Sequence, residues 1–114
     1  MALRHTGPGD PLNVQPLGSQ LTATKTWALF KSRDLEVIRL VLAAGKALPR
    51  HQVPGEITIH CLEGRLRIEL DEHSKTLNAG ELLFLDRNAP HAVTALADAS
   101  ALVTIALRPT AAPC

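Results

Sequence analysis

The amino-acid sequence predicts an all-β domain, and three observations carry that prediction. Short apolar runs alternate with Gly, Pro, Asn and Asp turn residues at intervals of about ten residues. Residues 56–70 alternate with period two. Ile57, Ile59 and Cys61 take one face and Thr58 and His60 the other; beyond Glu63-Gly64, Leu66, Ile68 and Leu70 alternate with Arg65, Arg67 and Glu69. No segment sustains a helical period, so no helix longer than about two turns is expected.

Taken in order, Gly7, Pro8, Gly9 and Pro11 mark residues 1–11 as a flexible N-terminal tail. Strands are expected near 12–17 and 21–30. The next, near 35–43, contains Val37, Ile38 and Val41 and stops at Gly45; its β-branched residues favour a strand over a helix. Segments 56–63 and 65–70 read as a hairpin turning at Glu63-Gly64, with one dry face and one wet face. Shorter strands follow near 75–78, 82–85, 91–96 and 101–107. The folded domain therefore spans 12–107. Residues 108–114, with Pro109 and Pro113, form a C-terminal tail. The expected core includes Ile57, Ile59, Cys61, Leu66, Ile68 and Phe84.

Composition narrows the function. A chain of 114 residues suits one domain with a real core. Apolar residues make up 46% but aromatics only 3%, namely Trp27, Phe30 and Phe84, so Leu, Val, Ile and Ala must build the interior. Twelve basic residues against eleven acidic ones leave a net charge of +1, with no electrostatic footprint for nucleic acid or an anionic membrane. Arg65 and Arg67 fit the wet face of a strand, and the few aromatics offer no stacking platform for single strands. No apolar stretch approaches the roughly 18 residues of a membrane span, and residues 1–11 lack the apolar run of an export signal. Cys61 alternates with Ile57 and Ile59 as a small core residue, while Cys114 lies in the tail, so no disulfide and a reduced cytoplasm are expected. There is no Gly-x-Ser-x-Gly elbow, no Cys-x-x-Cys pair and no dinucleotide loop.

Two segments hold the residues suited to chemistry. The first runs Gly45-Lys-Ala-Leu-Pro-Arg-His51-Gln-Val53-Pro54-Gly55-Glu56-Ile57 and closes at Gly64. The second runs Gly80-Glu-Leu-Leu-Phe-Leu-Asp86-Arg-Asn88-Ala-Pro90-His91. Their spacing resembles the two motifs of the cupin family over residues 35–107. Gly45, His51 and Gly64 match the first motif, and Gly80 and His91 the second. Val53 stands at the position of the second histidine and Ile57 at that of the glutamate. Asp86, Asn88 and Ala95 replace the proline, glycine and asparagine of the second motif.

The resemblance implies a cupin-type double-sheet jelly-roll barrel. In the family, three histidines and a glutamate point into the barrel and hold a divalent metal. Here His51 and His91 remain as metal ligands, and a third would have to come from Glu56 or His60. Strand alternation puts both of these opposite Ile57, unless a bulge after Pro54-Gly55 turns Glu56 inward. Two imidazoles alone hold a metal weakly. The expected function is therefore the binding of a small organic ligand in the lumen, around His51, Val53, Ile57 and His91. The first alternative is a metal-dependent enzyme of the dioxygenase, isomerase or decarboxylase type. The second is a structural dimer module without a ligand. No catalytic residue is assigned. The only cofactor expected is a weakly bound divalent transition metal, and the expected assembly is a homodimer pairing its exposed sheet edges. His60 is expected on an outer face and His73 in a solvated turn. His5 lies in the tail, and Glu56 is expected to pair with Arg50 at the surface.

Overall fold

Nine strands and one short 3-10 helix make up residues 6–107, the part of the chain that the computed structural model describes. The 3-10 helix is Gly18–Ala23. The strands are β1 (Trp27–Lys31), β2 (Leu35–Leu42), β3 (Ala47–His51), β4 (Ile57–Glu63), β5 (Arg65–Glu69), β6 (Ser74–Asn78), β7 (Leu82–Leu85), β8 (His91–Ala95) and β9 (Ala99–Ala106). They form two antiparallel sheets, one of five strands in the order β1-β2-β9-β4-β7 and one of four in the order β3-β8-β5-β6. Together the sheets make the double-sheet barrel that the sequence predicts. His5, Cys114 and the tail 108–114 lie outside the described residues.

The core fills the space between the sheets. Leu40, Ile57, Ile59 and Cys61 face inward from the larger sheet, and Leu66, Ile68, Leu77 and Val93 from the smaller. Burial pushes the Cys61 thiol above its ordinary pKa, so it stays protonated and serves as a small apolar plug. Five of the six expected core residues are buried. Phe84 is the exception, at 67% exposed. In β7, Leu83 and Leu85 pair with the inward Ile59 and Ile57, which turns Leu82 and Phe84 outward. Four consecutive apolar residues conceal that alternation.

The segment 56–70 is not a hairpin. β4 pairs with β7 and β9, whereas β5 pairs with β6 and β8 in the other sheet. Both strands do alternate dry and wet, but Gly64 carries the chain from one sheet to the other between them. Its φ of 76° lies in the left-handed region, and a Cβ there would sit 2.1 Å from the Asp98 carbonyl oxygen. Only glycine fits.

Residues 12–17 form no strand, and the strand expected at 21–30 shortens to β1. Pro11 and Pro16 lack donors for a ladder, and Gly18 has a φ of 57°. The segment is held instead by a polar cluster on the outer face of the larger sheet. Leu17 and Gly18 donate their N–H groups to the two carboxylate oxygens of Glu63 at 2.8 and 3.0 Å. The Ser100 hydroxyl also donates to Glu63. Arg39 Nη2 reaches the Gln15 carbonyl at 2.7 Å, Ser100 Oγ at 3.0 Å and Glu63 Oε2 at 3.4 Å. Burial works against ionisation of Glu63. The hydrogen bonds from Leu17, Ser100 and Gly18, together with the Arg39 charge, outweigh it and hold the carboxyl below its ordinary range.

β3 was absent from the expected strands because Pro49, Arg50 and His51 break any apolar run. An edge strand tolerates such a proline. Arg50 pairs with Asp71 rather than with Glu56.

Three changes test this architecture by chemical denaturation. Ile59→Ala empties a site that is 1% exposed and should cost about 2–5 kcal/mol. Gly64→Ala should cost more than about 1 kcal/mol through strain and clash. Glu63→Ala leaves Arg39 buried without its counter-charge and should cost on the order of 3–5 kcal/mol at neutral pH. Because the folded state depresses the Glu63 pKa, that stabilisation is present above the ordinary carboxylate range and fades as the pH falls through it. The gap between wild type and Glu63→Ala should therefore narrow in acid.

Candidate ligand site at the mouth of the barrel

His51 and His91 come together across β3 and β8. They are direct cross-strand partners, with ring centroids 4.4 Å apart and ring planes tilted by 54°. Simple alternation would not produce this pair. Leu48 faces Val93 on the inner side, and two residues further along would bring Arg50 to that face. A register irregularity between Leu48 and His51 adds one residue and puts His51 opposite His91 instead.

The turns before and after the two strands are tied to each other. Asn88 donates its N–H to the Val53 carbonyl at 2.9 Å. Asn88 has a φ of 59°, the left-handed conformation that glycine adopts freely and asparagine tolerates. Its substitution for the motif glycine therefore preserves the turn.

Each imidazole is oriented by its own backbone. His51 Nδ1 lies 3.1 Å from the Pro49 carbonyl, and His91 Nδ1 lies 3.0 Å from the Ala89 carbonyl. A carbonyl can only accept, so each Nδ1 carries the proton and each neutral ring keeps its lone pair at Nε2. His51 is exposed, whereas His91 is only 2% exposed. Burial lowers the His91 pKa; the Ala89 carbonyl partly offsets this, and the neighbouring His51 adds to it. In its neutral form each ring offers a lone pair, one ring at the surface and one beneath it.

The other site residues separate into two groups. Val53 is half-buried against the core and Ile57 is 4% exposed within it, so both add apolar surface and no donor atom. Glu56 is exposed, and His60 lies on the outer face of the larger sheet beside Leu82 and Leu102. Neither approaches the histidine pair as a third ligand. Among the described residues no three His, Cys, Asp or Glu side chains converge on a point where a metal ion could sit. The four-ligand metal centre implied by the fold does not fit these residues.

One feature of this end of the barrel escaped the sequence reading. A cavity of about 370 Å³ lies between the β5–β6 and β7–β8 turns, lined by Leu70, Leu85, Ala89 and Pro90 with Asp71, Glu72 and His73 around it. Ala89 and Pro90 lead directly into His91. These residues come from turns distant in sequence, and no local pattern marks them.

The comparisons agree with the fold. The cupin domain model matches residues 38–107, more than half of the chain, and the protein belongs to the cupin family. No curated protein matches it. Among solved structures, it is similar to a conserved Streptococcus pyogenes protein of unknown function, with 21% identity, a TM-score of 0.72, and coverage of 97% of this chain and 100% of that one. It is also similar to a cupin superfamily protein from Desulfitobacterium hafniense, with 20% identity, a TM-score of 0.75, and coverage of 95% and 100%. A cupin from Methanocaldococcus jannaschii with a double-stranded β-helix fold matches at 15% identity and a TM-score of 0.73, over 90% and 95% of the two chains. At these identities the likeness concerns the fold alone. Among the described residues no helix is long and apolar enough to cross a membrane.

Nuclear magnetic resonance tests the state of the pair. His91 should titrate below the ordinary imidazole value of 6.5, with its proton on Nδ1 in the neutral form. Because folding depresses this pKa, the His91 contribution to stability is complete above that value and falls as the pH drops below it. A His91 midpoint above the ordinary value would refute the assignment.

Proposed function

We propose that this cupin binds a small organic molecule at the mouth of its barrel, with the Nε2 atoms of His51 and His91 as the polar contacts. The arrangement of the two imidazoles carries the reading. Their Nδ1 groups are occupied by backbone carbonyls, and the lone pairs at Nε2 are available to a ligand. The adjoining cavity, bordered by Pro90 next to His91 in the chain, supplies apolar surface from Leu70, Leu85 and Ala89, the combination typical of small-molecule sites.

The chemistry favours a particular class of ligand. Two neutral acceptors suit a molecule that donates hydrogen bonds, such as one bearing neighbouring hydroxyl groups. An anion fits poorly, because burial disfavours the charged form of His91 and Glu72 adds negative charge at the rim of the neighbouring cavity.

A panel of neutral hydroxylated compounds and matched carboxylates should separate these classes when binding is followed through the Nε2 resonances of both histidines. The hydroxylated compounds should shift both signals. The double variant His51→Ala, His91→Ala should keep the wild-type circular dichroism spectrum and lose every hit. Hits that survive the double variant would move the site elsewhere.

A metal-dependent reaction is the second reading, since Nδ1-protonated histidines also present the nitrogen that a divalent metal takes. With two protein ligands such an ion is held weakly and is lost in acid as the imidazoles protonate. Elemental analysis of untagged protein distinguishes the readings. We expect substoichiometric metal; a full equivalent of Fe, Mn, Ni or Zn would promote the second.

A further inference from the structure

We propose that the cavity between the turn at Gly7–Asp10 and the end of β1 is a second small-molecule site, which takes an amino acid with an aromatic or large apolar side chain in its zwitterionic form. The inference is independent of the histidine pair.

Local chain geometry makes this cavity. Thr6 donates its N–H to the Leu29 carbonyl at 3.0 Å, so the chain starts out beside β1, an edge strand of the larger sheet. It does not stay there. Asp10 donates to the Gly7 carbonyl at 3.1 Å, and Gly9 has a φ of 84°. With Pro8 second and Gly9 third, these are the features of a type II turn. Pro8 and Pro11 also lack the N–H groups that would continue a ladder along β1. The chain therefore bows away from the strand, and a cavity of about 380 Å³ opens between the turn and Phe30, Lys31 and Ser32. That volume lies within the range of about 300–1,000 Å³ typical of small-molecule sites. The proline and the left-handed glycine stiffen the turn, so this wall is formed in advance.

The lining defines the ligand. Pro8, Leu12 and the half-buried Phe30 supply apolar surface. Charge enters as one residue of each sign, Asp10 from the turn and Lys31 from the last position of β1. The Asp10 carboxylate lies back over its own turn, since a Cβ on Gly7 would meet its Oδ2 at 3.2 Å. Among the described residues neither charge forms an ion pair, and the Ser32 hydroxyl is already engaged with Leu35. An amino-acid zwitterion carries an ammonium for Asp10 and a carboxylate for Lys31 on one carbon, which leaves its side chain for Phe30 and Leu12. A simple amine or a simple carboxylate answers one charge and leaves the other unmatched.

Nuclear magnetic resonance titration tests the proposal. L-Phenylalanine is the probe, with phenethylamine and hydrocinnamate as analogues that each lack one of its charges. Phenylalanine should shift the amide signals of Gly7, Asp10, Phe30 and Lys31. It should bind at least about tenfold more tightly than either analogue, the value of one charged contact. Asp10→Asn and Lys31→Met change exposed positions, so each should fold, as circular dichroism will show. Asp10→Asn should reduce the affinity for phenylalanine to that for hydrocinnamate, and Lys31→Met to that for phenethylamine. No response up to the solubility limit of phenylalanine overturns the proposal. So does equal binding of all three compounds, or binding that both variants leave unchanged. A response confined to the His51 and His91 signals also overturns it, because the amino acid would then sit at the barrel mouth.

Discussion

Everything in this fold depends on a single-residue crossing at Gly64. The strands on either side of it each have one dry face, and a strand can bury such a face only against another layer. A hairpin would have set β4 and β5 side by side, with both dry faces looking the same way and still uncovered. By changing sheets in one step, the chain turns the face of Ile57, Ile59 and Cys61 toward that of Leu66 and Ile68. The crossing also brings Gly64 against the Asp98–Ala99 backbone, so the start of β9 is locked to the end of β4. Since β9 lies at the centre of its sheet, the placement of β2 follows from the same contact.

The outer surface has its own constraint. Arg39 and Glu63 stand on the solvent side of the larger sheet, yet Arg39 is 1% exposed because the chain before β1 lies across it. A buried pair of this kind is seldom a large net source of stability, but it is highly specific. The Glu63 carboxylate accepts from Leu17 and Gly18 of the covering segment and from Ser100 and Arg39 of the sheet beneath it. The Arg39 Nε nitrogen has no partner, a residual cost of the arrangement. The cluster does by side chains what strand pairing does elsewhere, which is why residues 12–17 need no ladder.

The sequence made much of this legible where alternation and turns coincide. β2, β4, β5, β7 and β8 lie where period two and the flanking glycines put them, and the spacing of Gly45, His51, Gly80 and His91 exposed both the family and the histidine pair. Three features lay beyond that reach. Sheet membership was invisible, because a Glu-Gly turn looks the same whether the next strand pairs with the last or leaves it. The exposure of Phe84 was hidden because in Leu82–Leu85 every residue is apolar, and only pairing with Ile57 and Ile59 decides which two face out. β3 was hidden because its pairing partner is remote and its own residues are polar.

The candidate site shows how a lumen remains consistent when its ligand positions become apolar. A glutamate at position 57 would be a buried charge, tolerable only beside a cation or a set of donors. Isoleucine there, with Val53 half-buried nearby, adds to the core instead of burdening it. The histidines do not share that dependence. Their rings are oriented by the Pro49 and Ala89 carbonyls and the irregularity in β3, all features of the backbone. Preorganised acceptors of this kind lower the ordering cost of binding.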